Sequence, residues 1–161
     1  MGTTKREMIQ LLRQMGDKKE SVEWFRLRNR ELLAELGNIS TGGQQMGISF
    51  GGNNPGDRVG REVANREKWE FELKRNREAI ERRLLEYADL ARVMTDSLTS
   101  DERNILYARH AQRMSWEAVV HICHISRSHC FRLEAVGMEK LCQAWDKFQN
   151  EKFQNEKEKS P

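Results

Sequence analysis

Within the six residues from Arg127 to Arg132 the chain places two guanidiniums, the hydroxyl of Ser128 and the imidazole of His129. An arginine can donate two parallel hydrogen bonds to the major-groove edge of guanine, and Ser and His can reach base edges or phosphates. Arg127, Ser128, His129 and Arg132 are therefore the candidate base-reading residues on double-stranded DNA. Ser126, one position earlier, is both a helix-capping type and a candidate phosphate contact. Arg103, Arg109, Arg113 and Lys140 are further candidates for phosphate contact. A solvated helix face carries the same residue types, so the assignment depends on what positions them.

The elements around these residues form a pattern. Ser115 caps an amphipathic helix with Trp116, Val119, Val120 and Cys123 on its apolar side, and Trp116 belongs in the core. A short polar break at His124-Ile125 follows, and Ser126 then starts a second helix whose apolar positions are Cys130, Leu133 and Met138. Two short helices locked at a steep angle by a tight turn project one of them from the body. Upstream, the cluster Leu98-Thr99-Ser100-Asp101-Glu102 caps a helix with Ile105, Leu106 and Ala108 inward and Arg103, Arg109 and Arg113 outward, ending near Met114.

The rest of the chain reads as helical scaffold. From Thr4 to Leu36 an apolar stripe at spacings of three and four runs through Met8, Leu11, Met15, Val22, Phe25, Leu32 and Leu36, with polar interruptions at Lys18 and Asn29 that fix register or choose a partner. Gly16 lowers helix propensity there and permits a bend. Residues 37–56 contain seven glycines and Pro55 and read as a flexible connector. From Asp57 to Thr95 a second stripe carries Val59, Val63, Trp69, Leu73, Ile80, Leu84, Tyr87, Ala91 and Met94. If the connector is a hairpin, Val22 faces Leu73 and Met15 faces Ile80; the same stripes also suit a homodimer through the stalk. After Trp145 the repeat KFQNE has a period of five, which matches no helix face, so residues 146–161 read as a charged, frayed tail.

Composition narrows the function classes. Charged residues make up 33% and aromatics 7%, which favours amphipathic helices in shallow contact over a large globular core. The net charge of +3 is spread along the chain, so DNA affinity has to rest on a few placed cations, doubled in a dimer. No apolar run approaches the roughly 20 residues that a bilayer span needs, so no membrane partner is expected. Three cysteines, all between Cys123 and Cys142, indicate reduced thiols and a cytoplasmic protein. His121, Cys123, His124, His129 and Cys130 are zinc-type ligands crowded together, but they lack paired zinc spacing, and Cys123 and Cys130 occupy apolar core positions; no metal or other cofactor is assigned. No nucleophile elbow, phosphate loop or metal motif points to catalysis, so the chain is not read as an enzyme.

The segment LTSDERNILYARHAQRMSWEAVVHICHISRSHCFRLEAVGMEKL resembles the region 4 helix-turn-helix of bacterial sigma factors and of phage regulators built like it. Leu98, Glu102-Arg103, Ile105-Leu106, Ser115-Trp116-Glu117, Ile125-Ser126-Arg127-Ser128, Arg132-Leu133 and Glu139-Lys140-Leu141 fall where that pattern puts them. With two charged helices ahead of it, the layout is similar to ArpU/RinA-type late transcription regulators of phages of Gram-positive bacteria. The resemblance implies an all-α protein with a coiled-coil-like hairpin or stalk over residues 1–97 and a DNA-binding helix-turn-helix over residues 98–145. It also implies DNA binding and control of phage or mobile-element genes; the first expectation is accordingly a transcription activator in the cytoplasm of a bacterial host, with RNA polymerase as a further partner. Two departures stand out: His124 occupies the turn where a small residue, often Gly, is expected, and Gly137 sits inside the last helix, where Ala is the stronger helix former. Two other readings share the module: a non-catalytic protein that docks on RNA polymerase, and a DNA-packaging subunit that recognises a phage genome end.

Overall fold

In the computed structural model, residues 2–41 and 55–159 are described. These residues are all-helical: α1 (Lys5–Thr41), α2 (Pro55–Ser97), α3 (Ser100–Leu106), a π-helical turn (Tyr107–Ala111), α4 (Trp116–Cys123) and α5 (Arg127–Lys159). Among them, no helix is long and apolar enough to cross a membrane. The expected connector shortens from both ends, because α1 continues to Thr41 and α2 begins at Pro55; its middle, residues 42–54, lies outside the described residues. Pro55 at a helix start suits a residue that has no N–H to donate.

The chain divides into two compact units, Met1–Glu20 with Leu85–Pro161, and Ser21–Leu84. The start of α1 and the end of α2 thus fall in one unit with α3, α4 and α5. The physical reason is a shared core: Met8, Leu12 and Met15 of α1 and Leu90, Val93 and Met94 of α2 are buried in one cluster with Leu106, Met138 and Leu141. A second cluster, Ile105, Ala108, Val119 and Cys130, with Trp116, Val120, Cys123, Ile125 and Leu133 packed on it, holds α4 to α3 and to the start of α5.

Two glycines are contact points in this unit. A Cβ on Gly16 would overlap the carbonyl of Ala111, so α1 lies directly against the backbone of the π-helical turn. Gly16 thus serves a close approach, a role its weak helix propensity does not announce. A Cβ on Gly137 would come within 3.1 Å of the Glu102 Cβ, and this glycine is the point where α3 and α5 cross. Helix propensity is a local measure and misses both contacts.

Buried carboxylates tie α5 to α3, to the π-helical turn and to α1. Glu102, 3% exposed, accepts from Lys140 Nζ at 2.6 Å and from the backbone N–H of Thr99, closing a capping box at the start of α3. Glu134, 7% exposed, meets His110 Nε2 at 2.9 Å and Lys5 Nζ at 3.2 Å. Lys140 holds the Glu102 carboxyl below its ordinary pKa, as His110 and then Lys5 do for Glu134.

Residues 146–159 are helix and not a frayed tail. Trp145, Phe148 and Lys152 fall at spacings of three and four; Trp145 and Phe148 stack against each other and on the core, and Lys152 meets Asp89 at 2.8 Å. Asp146 receives the backbone N–H of Thr3 at 2.8 Å. These anchors override the five-residue repeat.

In the unit Ser21–Leu84 the two helices meet with opposite directions, Phe25 near Arg83, Asn29 on Asn76 and Arg28 on Glu72. The expected register would set Asn29 opposite Arg66, and this is corrected: Asn76 Nδ2 donates to Asn29 Oδ1 at 2.9 Å. A buried amide needs a partner, and the Asn–Asn pair supplies one where apolar residues alone permit sliding. Val22, Leu32 and Leu73 are buried beside it, whereas Val63, expected inward, is exposed. The other polar interruption, Lys18, meets Glu86 at 3.3 Å within the first unit.

Candidate nucleic-acid interface

The connection between α4 and α5 is short and capped on both sides. Ser115 Oγ accepts from the N–H of Ala118 at 3.2 Å, and Ser126 Oγ accepts from the N–H of His129 at 3.4 Å. Between them His124 adopts left-handed backbone, φ 54° and ψ 34°, and its N–H returns to the carbonyl of Val120. Glycine adopts this conformation without penalty and histidine tolerates it, so the turn keeps its shape at some conformational cost. Fully buried Val119 and Cys130 lock the helices on either side.

This arrangement sets the first two turns of α5 at the surface. Arg127, Ser126, Ser128 and Arg132 are exposed and His129 is half-buried, its Nδ1 at 3.3 Å from Arg132 Nη2. Arg127 lies over the ring of Phe131, 5.7 Å from its centroid, and 3.7 Å from Glu117 at the start of α4. Phe131 in turn packs on Trp116 at 4.3 Å. Ala135 and Glu139, neither of them a candidate DNA contact in the sequence, continue the exposed strip at helical spacing from Ser128 and Arg132. The Glu117 carboxyl lies below its ordinary pKa, chiefly because its own backbone N–H and the Ser115 hydroxyl donate to it, with Arg127 and Arg109 nearby.

The candidate phosphate contacts are placed less uniformly. Arg109 donates to the carbonyl of Met114 at 2.6 Å and stacks over Trp116, which secures the segment entering α4. Arg113, φ 57°, pairs with Asp17 at 2.9 Å. Lys140 is engaged with buried Glu102. Arg103 is half-buried on another side of α3, beside Met15 and Tyr107. Only Ser126 shares the surface of the base-reading candidates.

Cys123 and Cys130 belong to the apolar cluster, and burial pushes both thiols above their ordinary pKa, favouring the protonated form. Among the described residues, no group of three or more His, Cys, Asp or Glu is placed to hold a metal ion. Compared with protein-family models, curated proteins and solved structures, the chain has no significant match.

Proposed function

We propose that the protein is a sequence-specific DNA-binding transcription regulator of the ArpU/RinA kind, with a sigma region 4-like helix-turn-helix as its reader. One observation carries this reading: the start of α5 presents Arg127, Ser128 and Arg132 outward while Val119, Cys130 and two serine caps fix the helix beneath them. Rigid presentation of a few donors on an exposed helix start is what major-groove reading requires. Arg127 and Arg132 donate to guanine edges, Ser128 and His129 contact neighbouring bases, and Ser126 with the first amides of α5 takes a phosphate. Arg109, Arg113 and Lys140 act mainly within the fold, so phosphate attraction is modest, and the long helices α1 and α2 act as a stalk whose pairing between copies adds affinity.

Electrophoretic mobility shift with DNA upstream of neighbouring operons tests this. Retardation that Arg127→Ala with Arg132→Ala abolishes supports it, and equal retardation by the double variant overturns the base-reading assignment.

A second reading has its own observation. Ile122 on α4 is 52% exposed and Val136 on α5 is also exposed, which favours a protein surface such as RNA polymerase docking on the module. Polymerase pull-down that Ile122→Asp abolishes, without DNA retardation, would favour that reading.

A further inference from the structure

In the unit formed by Met1–Glu20 and Leu85–Pro161, cations commonly meet carboxylates: Lys5 meets Glu134, Lys18 meets Glu86, Arg113 meets Asp17, Lys140 meets Glu102 and Lys152 meets Asp89. Arg103 differs. Its side chain is half-buried, yet among the described residues it has no ion pair and no side-chain hydrogen bond. It borders a pocket of about 400 Å3 between α1, α2, α3 and the π-helical turn. The lining is largely apolar, Met15, Ala91 and Met94 with the rings of Tyr87 and Tyr107 beside Thr95 and Asn104, and the second cation is Lys19, whose Nζ lies 4.6 Å from the centre of the Tyr107 ring. No carboxylate lines the pocket among the described residues.

The Arg103 guanidinium keeps its donors open to the pocket with no carboxylate to offset its charge, and an arriving anion supplies that partner in a charge-assisted contact. Ligand pockets commonly begin near 300 Å3 and combine apolar walls with a few convergent polar groups. A phosphate alone would leave the apolar lining unused, and a neutral hydrocarbon would leave Arg103 unpaired.

We propose that this pocket binds a small organic carboxylate with an apolar body. Arg103 takes the carboxylate in a two-point contact, Lys19 adds the second positive charge, and the Met15, Met94 and Tyr107 surface takes the hydrocarbon or ring. The occupant touches α3, whose Ile105 belongs to the cluster that holds α4 and α5, so the site is placed to act as an effector site for the module. The binding assignment itself is independent of DNA reading.

Methyl NMR of the full chain labelled at methionine tests it, with 3-phenylpropanoate and octanoate as aromatic and aliphatic probes and 3-phenylpropanamide as the neutral counterpart. The expected result is saturable shifts of the Met15 and Met94 methyls with a carboxylate, little change at Met138, and at least tenfold weaker binding of the amide. Which carboxylate binds tighter separates a ring-bearing from a chain-bearing ligand. Arg103→Gln is expected to weaken binding at least tenfold, and Ala91→Leu, which fills the pocket from its lining, to abolish the shifts. Absence of saturable shifts, equal binding of acid and amide, or undiminished binding by Arg103→Gln overturns the proposal; the amide comparison decides it in the parent protein even if a variant does not fold.

Discussion

The start of α5 and its middle use polar residues in opposite ways. In the first turns Arg127, Ser128 and Arg132 face solvent, while further along the helix Glu134 and Lys140 are engaged with His110, Lys5 and Glu102, and Gly137 lets α3 lie against the helix. Sequence composition alone makes these stretches look alike. Charge in the middle of α5 ties the helix to its neighbours in the fold, whereas charge at its start faces solvent. Changes in the body should therefore register as stability, and changes at the helix start as binding.

The largest expected effect is at the contact between α1 and the π-helical turn. Gly16→Ala forces a methyl group into the Ala111 carbonyl, a backbone atom that cannot rotate away, and should cost about 3 kcal/mol in urea unfolding, the upper end of ordinary overpacking. A loss below about 0.5 kcal/mol, the scale of surface substitutions, would remove the close approach from the account. Next, Glu134→Ala leaves His110 and Lys5 without their shared carboxylate and should cost about 2 kcal/mol. Arg132→Ala on the same helix should stay within about 0.5 kcal/mol of the parent, and equal losses from the two would break the comparison.

Acidity offers another separation. Glu134 and Glu102 have folded-state pKa values below the ordinary carboxylate value of 4.5, so both contribute stability above that pH. That contribution should diminish as pH falls from about 5 through 4.5 and towards the depressed folded values, where the native carboxylates protonate. Thermal melts of the parent and of Glu134→Gln check it: the parent should lose more stability over that range, and parallel losses would count against the carboxylate ties. Ser126→Ala should cost about 1 kcal/mol, the loss of a cap at the start of α5. Chemical denaturation can resolve it, and a neutral result would make the Ser126 hydroxyl a binding group only.

Local signals in the sequence led to much of this arrangement. Met8, Met15, Val22 and Leu32 fall on the expected stripe and are buried, and the caps at Thr99, Ser115 and Ser126 lie where Ser/Thr chemistry puts them. Partners at long range were not legible. Gly16 read as a weak helix residue because nothing in its neighbourhood announces the Ala111 carbonyl, and Arg113 read as a free cation because Asp17 is remote in sequence. The α1–α2 register was misplaced because apolar stripes repeat every turn, and only the pairing of Asn29 with Asn76 distinguishes one alignment from the next. The continuation of α5 was hidden by a repeat whose Phe148 and Lys152 acquire meaning only from the core and from Asp89.

The most direct test of the central claim is selection of binding sites from random double-stranded DNA, carried out in parallel with the parent and with Arg127→Ala plus Arg132→Ala. The parent is expected to enrich a defined motif containing guanines, and the double variant, equally stable in thermal melts, to enrich none. Recovery of the same motif by both proteins would contradict the claim that the exposed start of α5 reads DNA bases.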